Sequence, residues 1–86
     1  MYNVLLSKKA IKEWALLEQA GLAKKANELK KILRVNPFQN PPPYEKLTNE
    51  DGTKYSRRIN IQHRLVYQVL KEKRIVHILR MWTHYE

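Results

Sequence analysis

No cysteine occurs in this 86-residue chain, glycine appears only as Gly21 and Gly52, and eight acids face seventeen bases. Without thiols there is neither a disulfide framework nor a thiolate metal site. His63, His77 and His84 are scattered, with no local pair at ligand spacing, so no metal is expected, and no motif calls for an organic cofactor. Two isolated glycines cannot build a loop that cradles phosphate, and no serine sits in a nucleophile elbow. No apolar run is long enough to span a bilayer and no secretory leader is visible, so no membrane partner is expected and a reducing cytoplasm is the natural location. The length allows one domain, residues 1–86, with a modest core. A hydrophobic fraction of 43% suits a folded globule rather than a disordered tail.

What is abundant is positive charge. A formal net charge of +9 suits nucleic acid, an anionic surface or an acidic protein as partner, with solubility as the plain alternative. Residues 2–6 read as a first strand. Ser7 is a good N-cap for a helix over residues 8–20, with Ile11, Trp14, Ala15 and Leu17 as its apolar stripe and Gly21 as its C-cap. Leu22, Ala26, Leu29 and Leu33 recur at helical spacing and predict a second helix over residues 22–33, whose other faces carry Lys24, Lys25, Lys30, Lys31 and Arg34. Residues 35–43, ending Pro41-Pro42-Pro43, form a connector too poor in N–H donors for helix or central strand. A short strand over residues 45–47 and a turn over residues 49–52 follow. Strands are then expected over residues 54–61, 64–70 and 74–82. With the short strand left aside, the order β-α-α-β-β-β predicts an α+β domain, with a two-helix hairpin packed on one face of a mostly antiparallel sheet.

The stretch Tyr55-Ser56-Arg57-Arg58-Ile59-Asn60-Ile61-Gln62-His63-Arg64-Leu65-Val66-Tyr67 carries the chemistry. It reads as two strands joined at Gln62 and His63. Side chains alternate across a strand, so burying Ile59, Leu65, Tyr67 and Val69 would project Arg58 and Arg64 from the open face, with Arg57 on the opposite side. Two arginines held on a sheet suggest an anion site, because the guanidinium fork can bond two phosphate oxygens at once. Arg57 would either pair with an acid or contact RNA. If the last strand lies beside the arginine strand, its end could bring His84 and Tyr85 near the open face, with Glu45 on the short strand. Cleaving RNA without a metal needs a base for the ribose 2′-OH, cations for the phosphorane and an acid for the leaving 5′-oxygen; Glu, Arg and His suit those tasks. By residue type alone, a surface Glu and a frayed terminal His explain the pattern better than a catalytic pair does. His63 and His77 read as structural, and Trp14 and Trp82 as packing residues, unless Trp82 is exposed and stacks on a base.

Asn36-Pro37-Phe38 after the second helix, Glu45 and Leu47 after the proline-rich connector, Tyr55-Ser56-Arg57-Arg58-Ile59, His63-Arg64-Leu65-Val66-Tyr67 and the ending His84-Tyr85 together resemble the YoeB/Txe family of bacterial toxins. That family is part of the RelE-like superfamily of messenger-RNA interferases, and the likeness covers the whole chain. The resemblance implies a RelE-like fold and a type II toxin–antitoxin toxin that cuts mRNA in the ribosomal A site, leaving a cyclic phosphate and a 5′-OH. It puts Glu45 in the general-base position, His84 in the general-acid position and Arg64 against the phosphate charge. Arg58 would bind or orient the substrate, and Tyr85 would stack on or bond to a nucleotide. Implied partners are mRNA and ribosomal RNA, with Lys24, Lys25, Lys30 and Lys31 as contacts, and a cognate acidic antitoxin; a homodimer stays open. The chain departs from the family in three places, one of them that it runs on to Glu86. Thr48 stands where a lysine is usual, leaving Lys46 as a substitute RNA contact that strand geometry would aim elsewhere. The segment Arg80-Met81-Trp82-Thr83 is one residue longer than expected. The rival reading is a non-catalytic binding module, like the superfamily members that poison gyrase or an inactive RNA-binding relative.

Overall fold

Ser7 decides where the first helix begins. Its backbone is extended, its Oγ accepts the Ala10 N–H at 3.0 Å, and its hydroxyl donates to the Leu79 carbonyl at 2.8 Å. One side chain therefore caps the helix and ties it to the last strand. The computed structural model describes residues 1–48 and 52–82. In chain order the elements are β1 Asn3–Leu6, α1 Lys8–Gln19, α2 Ala23–Val35, β2 Tyr44–Lys46, β3 Lys54–Arg58, β4 Arg64–Leu70 and β5 Ile75–Arg80. They form one five-stranded sheet in the order β1-β5-β4-β3-β2. β1 runs parallel to β5 and the other pairs are antiparallel. The expected α+β architecture is the one observed; the expected turn over residues 49–52 lies mostly outside the described residues.

The helices cover one face of the sheet. Ala10, Leu17, Ala26, Leu29 and Leu33 pack with Ile59, Leu65, Tyr67, Val69, Val76, Ile78 and Met81 in a single core. Gly21, at φ 74, supplies the left-handed step that ends α1 and lets α2 fold back. The inward stripe of α1 differs from the expected one. Ala10, Glu13 and Leu17 are buried, whereas Ile11 is 59% exposed and Ala15 also faces solvent. A carboxylate can occupy the inner stripe because Glu13 is engaged there: Oε2 accepts from Arg80 Nε at 3.0 Å and forms an ion pair with Nη2 at 3.0 Å, and Oε1 accepts the Met81 N–H at 2.8 Å.

β3 stops at Arg58, three residues short of the expected end. Asn60 is the reason: its Oδ1 accepts the N–H groups of Gln62 at 2.9 Å and His63 at 2.7 Å, while Ile59 and Asn60 N–H donate to the His63 carbonyl. An asparagine that satisfies its own turn competes with strand pairing. Ile61, expected to extend the strand, stands 87% exposed at the turn instead. β5 is likewise shorter than residues 74–82, since Arg74 adopts φ 56 in the preceding turn. Within β5 the register shifts: Tyr67 pairs with Ile78 but Val66 with Arg80, which leaves Leu79 as an extra residue.

Arg57 corrects a second expectation. It neither pairs with an acid nor faces RNA; it is 1% exposed. Nη1 donates to the Pro42 carbonyl at 2.6 Å, Nη2 to those of Pro37 at 2.9 Å and Gln39 at 2.8 Å, and Nε to the Tyr67 hydroxyl at 3.2 Å. The proline-rich connector has carbonyls but few donors of its own, and a guanidinium with five N–H groups closes that deficit. Tyr67 completes the cluster by donating to the Pro37 carbonyl at 3.1 Å.

Burial pushes the Tyr67 phenol up to about 12, partly offset by the Arg57 guanidinium beside it. The folded protein then holds a proton that the unfolded chain releases near pH 10. Stability from this group is complete below pH 10 and is lost as pH rises through about 12, a contribution of roughly 2–3 kcal/mol. Urea titrations between pH 8 and 12 should show a steeper alkaline fall for the natural chain than for Tyr67→Phe; parallel curves would remove Tyr67 as the source.

Candidate functional site

The open face of the sheet is built by strand parity and register. Glu45 on β2 pairs with Ser56 on β3, Ser56 with Val66 on β4, and Arg58 with Arg64. Arg58 and Arg64 therefore share the open face, as alternation predicts. Arg64 is the centre of the group: its Nη1 lies 3.3 Å from Ser56 Oγ, to which it donates, and 3.5 Å from Glu45 Oε2. Its side chain is 20% exposed and that of Glu45 66%, so the guanidinium is held from below while the carboxylate stays open to solvent. Pro43, Tyr44, Glu45, Ser56, Arg58 and Arg64 line a groove of about 210 Å³. A polyanion lying there would meet two guanidiniums on one side and a carboxylate on the other. That arrangement can both neutralise a phosphate and withdraw a proton from a neighbouring hydroxyl.

Strand parity with Arg58 puts Ser56 on this face, but nothing in the sequence assigns it a task; its hydroxyl aims Arg64. Glu13 also escapes a reading by sequence. Its signal is there, since a carboxylate in the stripe of Ala10 and Leu17 must find buried partners. Lys46 does not reach the groove. It pairs with Tyr55 on the opposite face and lines a separate cleft of about 450 Å³ with Phe38, Gly52, Lys71 and Lys73. Another cleft, about 410 Å³, lies between β1 and α2 among Asn3, Lys30, Lys31 and Arg34. Both are larger than the groove, but neither sets a sheet-borne arginine against a carboxylate. Lys30 is held over the Trp14 ring at 5.0 Å, whereas Lys24, Lys25 and Lys31 are exposed.

His63 is buried and stacks on Trp82, with ring centroids 3.9 Å apart and planes 19° from parallel. Trp82 is therefore half-buried packing. His77 pairs with Gln68 and Leu5 along the sheet, away from the groove. β5 lies beside β4, with Arg80 opposite Val66, so the chain leaves the sheet close to Arg64. His84 and Tyr85 lie outside the described residues. No helix among the described residues is long and apolar enough to cross a membrane.

The comparisons agree with this architecture. Residues 8–85 match the family described as YoeB-like toxin of bacterial type II toxin-antitoxin system. The YoeB–YefM heterotetramer of Staphylococcus aureus contains a chain 33% identical to this one, with 99% of each covered and a TM-score of 0.79. The YoeB dimer of the same organism is 33% identical, with 98% of each chain covered and a TM-score of 0.82. A YoeB/ParE toxin from Agrobacterium tumefaciens, 23% identical with 99% of this chain and 100% of that one covered, shares the fold at a TM-score of 0.84. No curated protein sequence matches significantly. Two helices on a five-stranded sheet, a family match over nearly the whole length and toxin structures superposing end to end make this chain a member of the YoeB-like toxin family of bacterial type II toxin–antitoxin systems.

Proposed function

We propose that the protein is a ribosome-associated endoribonuclease that cleaves mRNA without a metal and is restrained by an acidic antitoxin. The observation that carries this reading is the Arg64 guanidinium set between Ser56 and the open Glu45 carboxylate, with Arg58 beside it. In the reaction, Glu45 takes the proton from a ribose 2′-OH and the 2′-oxygen attacks the adjacent phosphorus. Arg64, assisted by Arg58, balances the charge that grows on the non-bridging oxygens. The bond from phosphorus to the 5′-oxygen breaks as His84 donates a proton to that oxygen. The products are a 2′,3′-cyclic phosphate and a 5′-OH. Tyr85 is assigned to stacking on or bonding a nucleotide near the scissile bond.

The +9 charge supports both polyanionic partners. The Staphylococcus aureus relative is a complex with YefM, and an acidic antitoxin segment lying across the groove would shield the same arginines that bind RNA. The relative's dimer supports self-association of this chain as well. End-group analysis of mRNA fragments, with and without ribosomes, tests the reaction: 5′-OH and cyclic-phosphate ends that require ribosomes are expected. Fragments with 5′-phosphate ends would rule out 2′-OH attack, and an absence of cuts would favour the binding-module reading. Reversing Lys24, Lys25 and Lys31 to glutamate should weaken ribosome binding and flatten its salt dependence by about 0.7–0.9 log units in K per log unit of salt for each phosphate no longer neutralised. Unchanged salt dependence would remove α2 from the ribosome-binding surface.

A further inference from the structure

Ile61 is the most exposed large hydrophobic side chain among the described residues, at 87%. A single exposed aliphatic is ordinary on a protein surface. This one differs in its mount and in its place. It is the middle residue of the turn over residues 59–63, which its neighbours close from both sides. Asn60 Oδ1 accepts the Gln62 and His63 N–H groups, and the Ile59 and Asn60 N–H groups donate to the His63 carbonyl. At the base of the turn, Ile59 is buried in the core and His63 is buried against the Trp82 ring. The tip therefore projects an apolar group into water from a fixed backbone, with little freedom left to lose on meeting a partner.

The sheet sets its place. Arg58 and Arg64 are the last pair of β3 and β4, and Ile61 is three residues from each, at most about 11 Å away. Glu45 lies across from Ser56, two residues back along β3, so the carboxylate and the turn stand on opposite sides of the arginine pair. An RNA strand whose 2′-OH meets Glu45 and whose scissile phosphate meets the arginines then runs on, in its 3′ direction, toward Ile61.

We propose that Ile61 is an RNA-contacting wedge: it enters the base step at the scissile phosphate and parts the leaving nucleotide's base from its 5′ neighbour. The inference rests on the nuclease reading above, through its Glu45 and Arg64 assignments. The chemistry supplies the need. The 2′-oxygen must approach phosphorus opposite the departing 5′-oxygen, and a stacked strand holds it to one side of that line. Unstacking the step frees the phosphate to turn in line. Aliphatic side chains, isoleucine among them, make this insertion in nucleic-acid duplexes, where an apolar surface replaces the face of the displaced neighbour.

Single-turnover cleavage is measured on ribosomes programmed with natural mRNA, or with mRNA whose leaving nucleotide is a tetrahydrofuran residue that has no base to stack. Ile61→Ser should cut the natural mRNA about 10–100-fold more slowly, the scale of an ångström misplacement, and the abasic mRNA as fast as the natural protein does. Ile61→Leu keeps the apolar bulk and should retain most of the rate on both. Thermal melts of the variants should match that of the natural protein, because the side chain is exposed. The proposal is overturned if Ile61→Ser cuts natural mRNA at the natural rate, or if it loses equally on both mRNAs, which would assign the side chain to ribosome binding. It is also overturned if the natural protein cuts natural mRNA but not the abasic one, since the base would then be read rather than displaced. A natural protein that cuts neither mRNA, or that leaves 5′-phosphate ends, removes the nuclease reading itself, and this inference falls with it.

Discussion

Arg64→Ala should slow mRNA cleavage about 10²–10³-fold, close to 3–4 kcal/mol of transition-state stabilisation, while the fold survives. The two effects separate because the ground-state interactions of this guanidinium are weak. Its bond to Ser56 is long, at 3.3 Å, and its partner Glu45 is 66% exposed. A pair that open to solvent contributes between nothing and about 1 kcal/mol to stability. The same charge facing a phosphorane in a groove filled by RNA acts where water is excluded, and there it is worth far more. Arg64→Lys should recover little, since a point charge cannot span two phosphate oxygens. Lys46→Ala is the internal control: it alters a cation one residue from Glu45 but on the other face, and should leave the chemical step unchanged. Cleavage by Arg64→Ala within tenfold of the natural protein would remove the central assignment. An equal loss of cleavage in Lys46→Ala would show that charge alone, and not the open-face geometry, is at work.

The largest loss of stability should come from Arg57. Arg57→Ala deletes bonds to the carbonyls of Pro37, Gln39 and Pro42, and strips Tyr67 of one partner, all behind a side chain that is 1% exposed. Hydrogen bonds to a charged group contribute about 1.5–3 kcal/mol each, and buried acceptors left without donors carry a further penalty. Even allowing for partial entry of water, about 3–5 kcal/mol should be lost, a large share of what a domain of this size possesses. Arg57→Lys should be nearly as damaging, because three rotatable donors on one nitrogen cannot reach three carbonyls arrayed around a planar fork. Urea unfolding measures the change directly; a loss under about 1 kcal/mol would mean the connector is held by something else. The loss also bears on function. Glu45 stands two residues past the connector, and β2 pairs with β3 at Tyr44 and Arg57. A loosened clasp would therefore release the carboxylate side of the groove.

Much of the groove was legible because strand alternation is a local property. Ser56 and Arg58 lie two apart, Arg64 begins the next strand, and burying Leu65 and Tyr67 leaves only one face for the arginines. Asn60 was legible in principle, yet Ile59 and Ile61 flank it as strand residues would, and the outcome turned on its side chain accepting the N–H groups of Gln62 and His63. Glu13 and Arg57 were harder. A charge read from sequence is assumed to seek solvent, and only the partners brought in from residues 37–42 for Arg57 and 80–81 for Glu13 make burial favourable.

By itself the sequence determined the order of elements, the two helices with their glycine break, the face shared by Arg58 and Arg64, and the excess of cationic charge, since each depends on spacing within a few residues or on composition. Tertiary structure alone decided that β1 would pair parallel to β5, that Glu45 would meet Arg64 across an intervening strand, that Arg57 would clasp a proline-rich connector, and that Glu13 would hold the end of β5. Those interactions join residues tens of positions apart, and their free energy exists only once the intervening chain has closed and water has been driven out.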